Sequence, residues 1–325
     1  MHIPDGFLDT RTAVTAGVFA VLGLGFALRS VRRSFPPRRV PLIGLASAFV
    51  FAAQMLNFPV LGGTSGHLIG AVLTTVLLGP AAAVLVLSSV LILQCFLFQD
   101  GGLTALGANI FNMALVAPWL GYAVYGLVRR LSRDGLRGRL FATAFAAWCS
   151  TVAASIACAG QLALSRTSPW NVVFPAMANV HMLIGIGEAL ITTLVVGAIA
   201  RARPELLDHA QSGLRPRYRD MAGYGLLLSI GLAVFVAPFA CPWPDGLDRI
   251  AAALGLGHKA WEHAVLNASL PEYAVPGIKS AVTSTAMAGG IGTLVAFGLA
   301  YVLARLLTPR ARVSGAGCEA QGRRP

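Results

Sequence analysis

The sequence predicts an all-α polytopic membrane protein of about nine transmembrane helices, N-terminus outside and C-terminus inside. Three observations predict it. Apolar runs of about 20 residues recur from end to end, the length that a hydrocarbon core of about 30 Å requires. Of the 325 residues 56% are hydrophobic and only 12% charged, with a mean hydropathy of +0.71; a soluble domain is about one-quarter charged. The basic residues are bunched, 20 of the 25 falling into four clusters, each at one end of an apolar run. Topology puts such clusters on the cytoplasmic side, so the net charge of +12 needs no nucleic-acid partner.

The first run, about 12–28, ends in Arg29, Arg32, Arg33, Arg38 and Arg39, which leaves Met1 and His2 outside. The second, 40–58, carries Gln54 and Asn57 near its outer end. An uncharged, glycine-rich loop, PVLGGTSG at 59–66, leads into His67 and a run to Gly79 that is too short to cross by itself. Pro80 starts a fourth run to Phe98, and Gln99–Gly102 turns outside. Run five, 103–128, places Asn109 and Asn112 three apart, on one helix face. Run six covers 140–164 and run seven 176–200, joined by an outer loop with Trp170 as interfacial anchor. Run seven carries His181 near its outer end and Glu188 deeper, the latter paired inside the bundle.

These runs form one membrane domain, 1–205, followed by a cytoplasmic linker, 206–220. A two-helix unit with a polar outer segment, 241–276, occupies 221–308, and 309–325 is a basic cytoplasmic tail. Cys95, Cys149, Cys158, Cys241 and Cys318 include no CxxC and indicate neither a disulfide framework nor a zinc site. Asp5 and Asp9 stand where a signal peptide would be basic, so the N-terminus is expected to be kept, with Met1 retained before the bulky His2.

The opening, MHIPDGFL, carries the chemistry. The Met1 amine, the His2 amide nitrogen and the His2 imidazole can close a five- and a six-membered chelate ring on one ion. In-plane nitrogen donors suit Ni(II) and Cu(II), and low-spin Co(II) as well. His67 lies on the same face of the membrane and supplies a fourth nitrogen; alone it also reads as a polar residue at a helix start. Gln54, Asn57, Asp100, Asn109 and Asn112 are placed to orient imidazoles, although each alone reads first as a structural residue in interhelical hydrogen bonding. His181 reads first as a partner orienting a ligand, then as a ligand or a packing residue. His258 and His263 read as solvated.

MHIPDGFL, NFPVLGGTSGHLIGAVL (57–73), DGGLTALGANIFNMAL (100–115) and HMLIGIGEALIT (181–192) together closely resemble the CbiM/NikM family over about residues 1–205. Those are the substrate-capture components of energy-coupling-factor importers for cobalt and nickel, multi-pass proteins of the bacterial inner membrane. The resemblance implies Ni2+ or Co2+ as transported substrate, no organic cofactor, and a site made by the Met1 amine, the His2 amide and imidazole, and His67. It also implies partners: a membrane coupling subunit and cytoplasmic ATPases. The remainder resembles the NikN-like, PDGLE-type extension, on Pro244-Asp245-Gly246-Leu247 and PEYAVPGI (271–278), with Asp248 in place of the usual Glu.

The chain has two lysines, Lys259 and Lys279, neither after a glycine, so no P-loop can be written and it is not expected to be an enzyme. Small residues four apart in the first run (Ala13 and Gly17, Ala16 and Ala20, Gly23 and Ala27) suit close docking to a partner. A self-sufficient secondary transporter would want carboxylates stacked across the membrane, where only Glu188 lies deep. An intramembrane metalloenzyme would want a motif such as HExxH, which is missing.

Overall fold

The Asp9 carboxylate accepts the Thr12 N–H at 2.9 Å and caps α1 (Thr10–Ser34), the first rod of a helical bundle. The protein is described by a computed structural model over residues 1–132, 135–207, 218–261 and 265–308. Most of the expected linker and all of the tail, with Cys318 and His263, lie outside those residues. Val18, Phe19, Leu22 and Phe26 form an exposed, lipid-suited stripe on α1, while Ala16, Ala20 and Ala27 are buried. The small residues therefore serve the chain itself, correcting their expected role in partner docking. A Cβ on Gly107 would meet the Cα of Gly17, and one on Gly23 would meet the Leu115 side chain.

Among the described residues seven helices are long and apolar enough to cross a membrane: Thr10–Ser34, Pro80–Phe98, Leu106–Leu131, Leu136–Leu164, Trp170–Ala202, Tyr218–Phe239 and Ala281–Leu307. The other two apolar runs form α2 (Val40–Gln54) and α3 (Ala71–Leu78), both short of the about 20 residues a crossing needs. Gly70 and Gly79 bracket α3 with φ of 76° and 87°, a left-handed backbone that glycine adopts freely. Between α2 and α3 the glycine-rich loop is a small hairpin, β1 (Phe58–Val60) antiparallel to β2 (Thr64–Gly66).

The rod from Pro80 is α4 (Pro80–Leu93), prolonged by a π turn to Phe98. The next is α5 (Leu106–Asn109), a π segment to Val116, and α6 (Ala117–Leu131), which carries Pro118 at its start. α7 (Leu136–Leu164) and α8 (Trp170–Ala202) follow. α8 begins six residues before the expected run, because Pro175 is accommodated inside it rather than ending a loop. Trp170 thus opens a helix, stacked on Phe174 at 4.7 Å, instead of lying in a loop.

α9 (Tyr218–Gly231), the short α10 (Gly246–Ala253) and α11 (Ala281–Leu307) make the C-terminal unit. This unit is not hung on the edge. α2 is apolar all round and needs cover on every side, and α9 and α11 supply part of it. A Cβ on Gly44 would press on Phe297 and Tyr301, and one on Gly292 would press on Phe51. Chain direction brings residues 1–9, 57–70, 99–106, 165–170, 240–261 and 265–280 to one pole, tied together by hydrogen bonds described next.

Candidate metal centre

The first nine residues have no helix or strand, yet they are among the best-anchored of the chain. Ile3 is fully buried, its N–H donating to Asn109 Oδ1 at 2.8 Å and its carbonyl accepting from Asn109 Nδ2 at 3.2 Å and Gly102 N at 2.8 Å. Asp5 Oδ1 accepts both the N–H and the hydroxyl of Thr104, at 2.8 and 2.6 Å. The Asp5 carbonyl accepts the Trp261 N–H at 3.2 Å, and the Phe7 carbonyl accepts the Thr167 hydroxyl. A side chain at Gly102 would collide with Pro4 and Asp5, which is why the outer turn carries glycine where the N-terminal segment lies against it.

These anchors carry Met1 and His2 into the bundle, with only 4% and 9% of their surface exposed. The Met1 nitrogen lies 3.2 Å from His67 Nε2, and the His2 and His67 rings meet edge to face at 5.4 Å. His67 Nδ1 faces the Leu68 carbonyl at 3.3 Å, the arrangement that leaves Nε2 as the lone-pair nitrogen toward the amine. Its loop is pinned from behind. Glu188 accepts the N–H groups of Ile69 and Gly70 at 2.6 and 2.9 Å, and Gln54 donates to the Ile69 carbonyl at 3.1 Å. Glu188 is therefore committed to the loop, which weakens the case for an ion-driven carrier built on that carboxylate.

The amine is not alone with nitrogens. Asp245, just ahead of α10, forms a close ion pair with it and lies 3.9 Å from His67 Nε2. Burial works against the amine's charge, but Asp245, with Asp248 and Asp100 beyond it, raises its pKa above the ordinary 8.0. The Asp245 carboxyl itself is held well below the usual range: burial opposes this, and the amine outweighs it. Burial, together with the amine's charge, lowers His67 to about 3, so it stays neutral and able to donate a lone pair at any ordinary pH. Burial and the Asp245 charge raise Asp248 to about 6.

His2 is held the opposite way round from a chelate. Only Nδ1 can close the six-membered ring, and Nδ1 is engaged by Asp100 Oδ1 at 2.6 Å, whereas Nε2 is buried with no hydrogen-bond partner. His181 Nδ1 bonds the Met177 carbonyl at 2.8 Å, and its far edge abuts Gly246. Met1, His67 and His181 line one cavity of about 10 Å³, about the least that holds a single water. No group of three or more His, Cys, Asp or Glu able to hold a metal occurs among the described residues. Two of the expected donors are main-chain nitrogens, which lie outside any such group.

The expected orienting residues divide. Asp100 holds His2, Asn109 clamps Ile3, His181 reaches the cavity and Gln54 steadies the His67 loop. Asn112 instead forms a reciprocal amide pair with Gln161 at 2.8 and 3.0 Å, and Asn57 serves through its carbonyl, which accepts Cys241 N–H at 2.9 Å. His258 is exposed, as expected. Two residues were missed. Asp245 and Tyr273, the latter on Asp100 at 2.5 Å, were read only as parts of motifs, although a buried ammonium calls for a carboxylate. The hairpin explains how Asp245 arrives: Ser65 N–H and Thr64 Oγ1 donate to the Pro244 carbonyl at 2.9 and 3.1 Å, and Ser65 Oγ donates to the Trp243 carbonyl at 2.7 Å.

Comparison with known proteins identifies the family. Residues 2–206 match the CbiM family, described as the cobalt uptake substrate-specific transmembrane region, and 219–309 match the PDGLE domain. The chain is 35% identical over 244 residues to the fused nickel transport protein NikMN of Rhodobacter capsulatus, covering 70% of each. It is also 35% identical over 307 residues, 94% of this chain and 98% of the other, to an Archaeoglobus fulgidus protein given the same name provisionally. A crystal structure of a truncated transition metal transporter is 38% identical, with a TM-score of 0.57 over 62% of this chain and 99% of that one.

Proposed function

The chain belongs to the CbiM family, with a PDGLE domain joined behind it, and from that premise we propose that it captures Ni2+ or Co2+ at the outer face of the membrane for ATP-driven uptake. Its donors are the Met1 amine, the His2 amide and Nδ1, and His67 Nε2. The observation that carries the reading is the burial of the chain's own amine 3.2 Å from His67 Nε2, beside the His2 ring. The described arginines at 29–39, Arg129, Arg130, Arg137, Arg139, Arg201, Arg203 and Arg219 fall at the helix ends away from the site, which supports an N-out, C-in orientation. Domain limits of 1–205 and 221–308, and partnership with a coupling subunit and separate ATPases, belong to the same proposal.

Loading exchanges protons for the ion. Asp245 pairs with the amine and holds it as an ammonium. An arriving cation replaces one proton on the amine and one on the His2 amide, so retention falls in acid. The His2 ring must also release Nδ1 from Asp100. A half-turn about Cβ–Cγ does this and moves Nε2 to the position now held by Cε1, next to the present place of Nδ1. Asp100 then satisfies the ring nitrogen that is orphaned in the empty site. His67 needs no change, being neutral and aimed already.

The test is nickel and cobalt retention by the purified chain, read by metal content after desalting. His2→Ala and His67→Ala are each expected to reduce retention at least about 100-fold, and so is a single residue added before Met1. Undiminished retention in the extended protein would remove the amine from the donor set.

A further inference from the structure

Asp100 uses its two carboxylate oxygens on two different units of the molecule. Oδ1 lies 2.6 Å from His2 Nδ1, and Oδ2 accepts the hydroxyl of Tyr273 at 2.5 Å. Tyr273 belongs to the outer segment of the C-terminal unit and stands 173 residues further along the chain. The same hydroxyl accepts from Gln94 Nε2 at 3.1 Å, in the π turn that ends the α4 rod. The result is an unbroken line of hydrogen bonds, Gln94 to Tyr273 to Asp100 to His2.

The backbone shows that this placement is imposed. Glu272 and Tyr273 have φ of 52° and 58°, consecutive left-handed residues that are not glycine. L residues rarely adopt that region, and they keep it only where the surroundings over-determine it. Those surroundings are visible on both sides. Leu270 N–H donates to the Leu97 carbonyl at 3.0 Å, and the Ser284 hydroxyl bonds Val275 N and O at 2.7 and 3.2 Å. The ring stacks on Phe98 at 4.7 Å with 19° between planes and meets Phe51 at 6.1 Å. Packing against these rings would be served equally by phenylalanine. Only the hydroxyl reaches Asp100.

We propose that Tyr273 is a positioning residue of the metal centre: through Asp100 it fixes the imidazole of His2, so the C-terminal unit helps hold the ion without touching it. The assignment rests on His2 being a nitrogen donor to the ion. Asp100 lies in an outer turn between two rods, and the phenol locks its carboxylate plane. A carboxylate so held can pass from one ring nitrogen to the other as His2 turns over to bind. Released from Tyr273, it has one anchor fewer, and the bound ring loses its fixed orientation. Partners of this kind, one bond removed from a ligand, change metal affinity by about 10- to 100-fold when removed.

The experiment uses the full purified chain loaded with Ni(II), comparing Tyr273→Phe, Asp100→Asn, the double variant and His2→Ala. Release into a chelator gives the off-rate, and the d–d absorption of bound nickel reports the donor plane. Tyr273→Phe keeps the ring stack, and is expected to speed release about tenfold or more and to shift the band. In the Asp100→Asn background the same change should add little, since it acts through Asp100. Wild-type release and an unshifted band in Tyr273→Phe would overturn the assignment, as would effects that multiply in the double variant. Wild-type release in His2→Ala would instead bring down the His2-donor reading on which the assignment stands.

Discussion

The two units of the chain contribute opposite chemistry to one place. The N-terminal unit brings nitrogen: an amine, an amide and two imidazoles within a few ångströms. The C-terminal unit brings oxygen: the Asp245 carboxylate on the amine and the Tyr273 hydroxyl on Asp100. On the proposed reading the nitrogen donors select the ion, whereas the oxygens neutralise and orient those donors. A buried ammonium with no counter-ion would be expelled or deprotonated, and here the counter-ion comes from a unit that lies 244 residues away in sequence. The division teaches that the fused unit completes the resting state of the site, and each unit can be broken separately.

The largest expected effect lies within the N-terminal unit. Glu188→Ala leaves the buried N–H groups of Ile69 and Gly70 without an acceptor, at about 2–4 kcal/mol of stability. It also frees the loop that aims His67. Thermal unfolding should drop by several degrees and nickel retention by about 100-fold or more. Glu188→Gln, which keeps one acceptor oxygen, is expected to recover part of both. Retention unchanged in Glu188→Ala would mean that the Gln54 bond and packing suffice to aim the loop.

A smaller and more telling effect belongs to the C-terminal unit. Asp245 holds the amine's pKa above its ordinary value. The ion competes with a proton for that nitrogen, so affinity declines with falling pH once the pH is below the amine's pKa. Asp245→Asn removes the strongest influence raising that pKa. The bend in log affinity against pH should therefore move to lower pH, while affinity at high pH falls by up to about tenfold because an anion near the cation is gone. Titrating retention between pH 5 and 9 separates the two changes (roughly the window around the amine's ordinary pKa). A bend that stays in place would show that Asp245 does not govern the proton on the amine.

What was legible in the sequence follows the same division. Met1, His2 and His67 could be singled out because an amine next to a histidine offers a chelate and His67 falls on the same side of the membrane, and the fold brings the three together. The helical bundle could be read because apolar length and arginine position report it residue by residue. Pairings across the chain could not. Asp245 meets Met1 only after the hairpin captures Pro244, and Tyr273 reaches Asp100 through left-handed residues that no propensity announces. Asn112 and Asn57 looked like orienting residues because polar groups inside a bundle all look alike until their partners are known. The small residues of α1 misled for a related reason, as close packing reads the same whether the neighbour is Gly107 or another subunit.

The smallest expected effect is also the control that keeps the comparison fair. By donor chemistry alone, His258 is the best metal ligand among the described residues of the C-terminal unit. It is exposed, its Nδ1 turned back to the Gly255 carbonyl at 2.8 Å, and it has no contact with the amine or with His67. If the fused unit acts by holding the resting site, His258→Ala changes nickel retention by less than about twofold, as surface substitutions away from special features do. If the unit instead gathers ions in its own outer segment and passes them inward, this histidine is where the loss should show. A drop of tenfold or more in His258→Ala would then move the unit's role from keeping the claw to feeding it.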